Sequence, residues 1–146
     1  MYFLDANILF EVLFNRKKAD ECEKLLNLIE NEEIRAIASA FSIYAICIYG
    51  SKNEGSQKTK KFLEYIDSLK NLEILNTTIL DDIKILESMG KIDLDFDDAL
   101  QHYLAKETGS ALITLDADFQ NKKLKTLTPK EALEEIAFEG KFDSAK

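Results

Sequence analysis

Apolar positions along the chain fall either into short continuous runs or into longer stretches with helical spacing. The short runs predict five buried strands. They cover residues 2–4, 35–39, 72–75, 111–115 and 124–127. Strands that alternate with helices are typical of an α/β domain. We therefore predict a three-layer α/β/α fold with a mainly parallel central sheet of about five short strands.

The stretches with helical spacing predict the helices of the outer layers. One follows Asp5 directly, and the others cover residues 17–33, 41–49, 57–69, 79–89 and 97–107. The segment 41–49 is almost entirely apolar, so we expect a buried helix in which Tyr44 and Tyr49 belong to the core. Gly50, Gly90 and Gly109 follow three of these stretches, and each is expected to end its helix.

The end of the sequence carries a strong helix-start signal. Thr128 can cap a helix, Pro129 suits its first position, and Glu131 completes a capping box. Residues 51–56 are the one stretch with the composition of a flexible loop. We expect a single domain over residues 1–139 and a frayed tail over residues 140–146.

Length and composition narrow the class of protein. The chain has 146 residues, of which 46% are hydrophobic and 32% are charged, as expected for one globular domain. No apolar run approaches the roughly 18 residues that span a bilayer, and the first residues lack the basic region of a secretory signal. Cys22 and Cys47 form no disulfide framework and are expected in the core, which favours a cytoplasmic protein.

The formal net charge of −8 argues against a general nucleic-acid binder. The charge is uneven, however: residues 81–98 hold seven acids and two lysines. Basic residues are grouped elsewhere, and such groups either are solvated faces or steer a phosphate backbone. The groups that could bind nucleic acid contain Lys58, Lys60 and Lys61, and Lys122 and Lys123.

Acidic residues stand at three places where a parallel sheet puts its functional sites. Asp5 and Asp116 each follow a predicted strand, and Asp97 and Asp98 open a predicted helix. Sites of open parallel sheets lie beyond the carboxyl ends of the strands, so these carboxylates are expected to converge. Several carboxylates in a small volume require a proton or a cation. Oxygen ligands without a nearby His or Cys favour Mg²⁺ or Mn²⁺.

Four segments in order resemble PIN-domain nucleases. They are residues 4–9 (LDANIL), 96–100 (FDDAL), 112–119 (LITLDADF) and 127–129 (LTP). The resemblance covers nearly the whole chain. It implies a metal-dependent endonuclease acting on RNA. It also implies that the protein could be a VapC-type toxin that is inhibited by an antitoxin and forms a homodimer.

The same resemblance implies roles for single residues. Asp5, Asp98 and Asp116 would bind the metal, directly or through water, and Asp118 is a candidate fourth ligand. Asn7, Thr114 and Asp97 would orient or support these carboxylates. For Asn7 and Thr114 the alternative is local hydrogen bonding at a turn and a strand end. His102 either carries protons for the site or is a structural residue.

The helix after the second strand departs from the family pattern. Family members carry a Glu there, whereas Ile46 stands at the matching position and the segment 42–50 holds no acid. Either Asp97 or Asp118 compensates, or metal binding is weak, or the protein is a catalytically degenerate module that binds RNA or protein. A third hypothesis is a phosphotransferase of the haloacid-dehalogenase type, which would need a second acid where Asn7 stands.

Overall fold

The computed structural model describes residues 1–120 and 122–144. Within them, five strands form one sheet with the order β3-β2-β1-β4-β5, and every neighbouring pair is parallel. The strands are β1 (Tyr2–Leu4), β2 (Ala36–Ser39), β3 (Leu72–Leu75), β4 (Ala111–Ile113) and β5 (Thr126–Leu127). The predicted fold class is confirmed, and the sheet is parallel throughout.

Seven α-helices cover the two faces of this sheet in the described residues. They are α1 (Ala6–Leu13), α2 (Ala19–Glu30), α3 (Ala40–Asn53), α4 (Ser56–Ser68), α5 (Ile79–Ile92), α6 (Phe96–Glu107) and α7 (Pro129–Ser144). Alternate strand residues point to opposite faces. Tyr2 and Leu4 pack in the core that includes residues of α1 to α4 and α7, whereas Phe3 packs with α5 and α6. The domain therefore has three layers.

The strand order creates a switch point between β1 and β4. The chain builds outward from β1 through β2 to β3, and then returns through α5 and α6 to place β4 on the other side of β1. The connections leaving β1 and β4 therefore diverge, and a crevice opens beyond their carboxyl ends. Asp5 lies at this crevice because it follows β1 directly.

Two predicted helix ends are wrong, because α3 and α5 continue through Gly50 and Gly90. Gly50 instead allows close packing: a Cβ atom there would meet Thr59 Oγ1 at 2.8 Å and Leu13 Cδ2 at 3.0 Å. Helix α5 ends at Asp93, which takes the left-handed conformation that usually falls to glycine. The predicted loop over residues 51–56 shrinks to two residues, since α3 reaches Asn53 and α4 begins at Ser56.

The expectation of a fully buried α3 is also wrong. Tyr44 is 63% exposed and Tyr49 is 54% exposed. Ser42, Ile46 and Gly50 form the buried side of the helix at intervals of four residues. The prediction of a fully buried helix failed because apolar residues occupy both the buried and the exposed side of α3. Cys22 is buried as expected, but Cys47 is only half-buried.

The carboxyl-terminal elements differ from the prediction in length. Strand β4 ends at Ile113 and β5 begins at Thr126, so both are shorter than expected. Helix α7 passes through Gly140 to Ser144 where a frayed tail is expected, and residues 145–146 lie outside the described residues. Over the described ranges, no helix is both long and apolar enough to cross a membrane.

Candidate metal centre

Asp5 connects the end of β1 to the start of α1. Its side chain is buried, with 5% of the residue exposed. Its Oδ1 accepts a hydrogen bond from Ala6 N at 2.7 Å, which caps α1. Backbone N–H groups at a helix start lack partners within the helix, so a carboxylate is favoured there. The local fold thus holds this acid at the crevice.

Thr114 and Asn7 fix the second oxygen of Asp5. The pairing of Leu4 with Ile113 places Thr114 beside Asp5 on the neighbouring strand. Thr114 Oγ1 donates to Asp5 Oδ2 at 2.7 Å and accepts from Asp116 N at 3.0 Å. Asn7 Nδ2 donates to Asp5 Oδ2 at 2.9 Å. The bonds of Thr114 link β4 to β1, so they are more than local hydrogen bonding at a strand end.

These bonds leave Asp5 with little free coordination capacity. A carboxylate offers about four lone-pair sites, and Ala6, Asn7 and Thr114 occupy three of them. The pKa of Asp5 is raised to about 6: burial is the main cause, the hydrogen bonds from Thr114 and Ala6 oppose it, and the negative charges of Asp116 and Asp97 add to it. One lone pair on Oδ1 remains for a metal ion or for a water bound to it.

Three other carboxylates form the tightest acidic cluster of the described residues. Oxygen atoms of Asp98, Asp116 and Asp118 lie within 4.8 Å of one another. Asp98 lies in the first turn of α6. Asp116 Oδ1 accepts from Asp118 N at 2.9 Å and so caps a short 3-10 turn over Ala117–Phe119. The start of α6 and the segment after β4 thus bring these three acids together.

The charges in this cluster oppose one another. The pKa of Asp98 is raised to about 7, mainly by burial and also by the negative charges of Asp97, Asp5, Asp116 and Asp118. A divalent cation would relieve this repulsion. A donor set of carboxylate oxygens, with no His or Cys among them, fits Mg²⁺ or Mn²⁺. Asp97 is exposed, and it acts on Asp5 and Asp98 through its charge.

The side chain of His102 forms a hydrogen bond outside the carboxylate cluster. It is buried, and its Nε2 forms a 2.8 Å hydrogen bond with the backbone oxygen of Lys122. The ring therefore ties α6 to the loop that follows the 3-10 turn. This contact supports the structural interpretation of His102 and not the role of proton carrier.

Ile46 is fully buried in the core, and no acid lies anywhere in α3. On the same side of α3, Ser42 Oγ accepts from Gln101 Nε2 at 2.7 Å and lies 3.0 Å from Ser39 Oγ. Gln101 Oε1 is buried and has no hydrogen-bond partner within the described residues. Gln101 is not among the residues predicted for the site, and no local pattern marks it, because its partner Ser42 lies 59 residues earlier in the chain.

The predicted basic residues fall into two different settings. Lys58 pairs with Glu54 at 2.8 Å, and Lys60 pairs with Glu64 at 3.7 Å. In each pair the two residues are four apart in the sequence, at or near α4. Lys61 is exposed on the same helix. Lys122 and Lys123 lie in the loop that follows the turn of Asp118. The second group thus follows Asp118 by four and five residues along the chain.

Comparison with known proteins agrees with this arrangement. The family model described as PIN domain matches residues 2–125. The chain belongs to the PIN domain family. A search of the curated proteins finds no match. The family assignment removes the haloacid-dehalogenase hypothesis, and the PIN fold accounts for the crevice between β1 and β4.

Solved structures share this PIN fold over most of their length. VapC20 of Mycobacterium tuberculosis, a Sarcin-Ricin loop cleaving toxin, has a TM-score of 0.72 at 13% identity, covering 88% of this chain and 100% of its own. VapBC2 of Rickettsia felis, bound to a promoter DNA fragment, has a TM-score of 0.67 at 18% identity, with coverages of 87% and 97%. A toxin–antitoxin complex from Klebsiella pneumoniae has a TM-score of 0.65 at 20% identity, with coverages of 88% and 98%.

Proposed function

We propose that this PIN domain is a metal-dependent endoribonuclease. The observation that carries the proposal is the cluster of Asp98, Asp116 and Asp118 beside buried Asp5 at the switch point of the sheet. The similar structures include a toxin–antitoxin complex and a Sarcin-Ricin loop cleaving toxin. The proposal extends that chemistry to this chain.

In this proposal Asp98, Asp116 and Asp118 hold Mg²⁺ or Mn²⁺, and Asp5 contributes its remaining lone pair directly or through water. When bound, such an ion activates water and stabilises the charge that develops on a phosphodiester. Thr114 and Asn7 keep the Asp5 carboxylate in one orientation. Lys122 and Lys123 supply positive charge near the turn of Asp118, which attracts the phosphate backbone.

The test is cleavage of a labelled single-stranded RNA with Mg²⁺ or Mn²⁺ and with EDTA. We expect cleavage to require the metal and to fall by about a hundredfold or more in Asp98→Asn and Asp116→Asn, because each loses charge that holds the ion. Asp67→Asn is the matched control, since Asp67 is an exposed acid on α4. A DNA strand of the same sequence tests the preference for RNA.

Two results would argue against this assignment of the site. Cleavage that survives both Asp98→Asn and Asp116→Asn would show that another site acts. Loss of cleavage in Asp67→Asn as well would point to a general loss of folded protein, which thermal melting of each variant checks.

We also propose that the protein is the toxin of a toxin–antitoxin pair in the cytoplasm. Complexes of toxin and antitoxin are among the similar structures, and both cysteines are free thiols, as is usual in a reducing compartment. A candidate antitoxin should abolish RNA cleavage when added at one copy per toxin. Cleavage that continues at excess antitoxin would reject that pairing.

A homodimer is supported by an apolar stripe on α5. Ile79, Leu80, Ile83 and Leu86 recur at helical spacing and are between 47% and 80% exposed. A continuous exposed apolar stripe usually marks an interface. Sedimentation should give a dimer for the native chain and a monomer for Ile83→Glu. A monomer for both would reject the dimer.

The alternative is a catalytically degenerate PIN domain that binds RNA or protein. The observation that favours it is the buried Ile46 on a helix that holds no acid. It predicts RNA binding without cleavage at any concentration of Mg²⁺ or Mn²⁺. The cleavage assay above separates the two functions.

A further inference from the structure

A small pocket lies beyond the carboxyl ends of β2 and β3, next to the carboxylate cluster. Its volume is about 170 Å³, which suits a single ring system more than a whole cofactor. Its aromatic walls are Phe41 and Tyr44 of α3 and Phe96 of α6. Polar groups line the same space, namely Ser39, Asn76 and Asp82.

The pocket contains an acceptor that needs a donor. Oδ1 of Asp82 is buried and has no hydrogen-bond partner within the described residues. A buried acceptor of this kind is unfavourable, and native structures usually satisfy it with a ligand, water or ion. Asp82 therefore calls for an N–H or O–H group that enters the pocket.

A donor faces the same space. The Oδ1 atom of Asn76 accepts from Thr77 N at 3.0 Å, so the amide presents its N–H groups as donors. The pocket thus combines an acceptor from Asp82 with a donor from Asn76. An arginine side chain carries donors only, whereas the edge of a nucleobase carries both donors and acceptors.

The pocket is close enough to the metal centre to act on the same RNA strand. The register of β1 and β2 pairs Phe3 with Ile37, and its continuation places Ser39 opposite Asp5. Neighbouring strands lie about 4.8 Å apart, so the pocket begins about one strand away from Asp5. Phe96 stands two residues before Asp98 on α6. One element thus contributes to both sites.

We propose that this pocket binds one nucleobase of the RNA, guanine in preference to the others, next to the phosphate held at the metal centre. The inference rests on the proposed function. Guanine is the base that presents two adjacent N–H donors, at N1 and N2, which match the Asp82 carboxylate, beside an O6 acceptor for Asn76. Exposed aromatic rings give flat surfaces on which a base stacks.

The experiment measures binding without cleavage. Fluorescein-labelled seven-residue oligouridines that carry a central G, A, C or U are titrated with the protein in EDTA, and fluorescence anisotropy gives Kd. We expect the G-containing strand to bind about tenfold more tightly than the U-only strand. Asp82→Asn should remove this preference, and Glu87→Gln, an exposed acid on the same helix, should keep it.

Two further variants keep the test valid if Asp82→Asn alters the fold. Asn76 is exposed. Asn76→Asp replaces the amide donor by a carboxylate acceptor, so the preference for guanine should fall. Tyr44→Ala should weaken binding of every strand by up to about tenfold, because stacking does not depend on the base. Thermal melting confirms that each variant is folded.

The results separate this proposal from the proposed function. Selective binding of guanine without any RNA cleavage would support the pocket and reject the nuclease. Equal affinity for the four strands, or a preference unchanged in both Asp82→Asn and Asn76→Asp, would overturn the pocket while leaving cleavage untouched. Displacement of RNA by L-argininamide at lower concentration than by guanosine monophosphate would overturn it in favour of a peptide ligand.

Discussion

The two halves of the carboxyl edge of the sheet are built alike but carry different chemistry. In one half Asp5 ends β1 and caps α1, and in the other Ser39 ends β2 and caps α3. Around Asp5 stand the carboxylates of Asp98, Asp116 and Asp118. Around Ser39 stand the neutral groups of Ser42 and Gln101, followed by aromatic rings and a single carboxylate, that of Asp82.

This difference shows that the backbone decides where a functional group stands, while the side chains decide whether charge is tolerated there. Asp5 keeps its position because three donors bind its oxygens. Ile46 packs in the apolar core. The half around Asp5, with several carboxylates, is therefore suited to hold a cation, and the half around Ser39, with a single carboxylate, is suited to contact a base.

The largest effect is expected when an acid is placed on the buried side of α3. Ile46→Glu places a carboxylate in the core without the donors that serve Asp5, so the free energy of unfolding should fall by more than about 3 kcal/mol. Urea unfolding measures the change. Ile46→Val is the control and should cost only about 1 kcal/mol. A stable Ile46→Glu protein with tighter Mn²⁺ binding would show that position 46 does reach the carboxylates.

The next effect concerns the support of Asp5 in the acidic half. Thr114→Val keeps the side-chain shape but removes the donor to Asp5 Oδ2. The pKa of Asp5 should rise, and Mn²⁺ affinity should fall by about 10- to 100-fold at pH 7. Calorimetric titration measures the affinity. Thr126→Val on β5 carries the same change outside this network, and an equal loss there would contradict the role of Thr114.

A smaller effect is expected from pH on the metal-free protein. The folded-state pKa of Asp5 is about 6 and that of Asp98 is about 7, both above the ordinary 3.8. A raised carboxyl pKa contributes stability that is present at low pH and is lost as pH rises through the folded value. Between pH 5 and pH 8 the free energy of unfolding should fall by about 1–2 kcal/mol through Asp5.

Urea unfolding at several pH values checks this dependence. Asp5→Asn should make the profile less steep, because one of the two titrating groups is removed. Saturating Mn²⁺ should raise the stability at pH 8 more than at pH 5, since the ion binds the ionised carboxylates. A stability that rises steadily from pH 5 to pH 8 without metal would contradict the assigned pKa shifts.

The smallest effect is expected from the lysines. Lys123→Ala should weaken RNA binding by less than about tenfold and lower the slope of log K against log salt by up to about 0.7. Lys58→Ala is the comparison, because Lys58 already pairs with Glu54, and it should change binding less. An equal loss in both would mean that the basic residues of α4 also contact RNA.

Much of the fold could be predicted from local pattern. The strand at residues 2–4, the acid that follows it and the helix after it all appear in the structure as predicted. The same holds for the capping box at Thr128, where Glu131 and Thr128 exchange hydrogen bonds. These features depend on neighbours in the sequence, so local spacing is enough to find them.

The predictions that failed concern residues whose roles depend on contacts with residues distant in the sequence. Gly50 has the composition of a helix end, but its role is the close approach of Thr59 and Leu13. Tyr44 has the character of a core residue, but the single sheet face beneath α3 can cover only one side of that helix. Gln101 gave no signal of its own, because its partner Ser42 lies 59 residues earlier.

The sequence by itself determined the alternation of strands and helices and the acids at the strand ends. Hydrophobic periodicity and helix capping are short-range effects, and they fix where each carboxylate stands along its own element. Only the tertiary structure decided which carboxylates meet. The parallel register sets Asp5 beside Thr114, and the return of the chain after β3 brings Asp98 to Asp116 and Asp118. Burial and mutual repulsion, which raise the pKa of Asp98, exist only after that convergence.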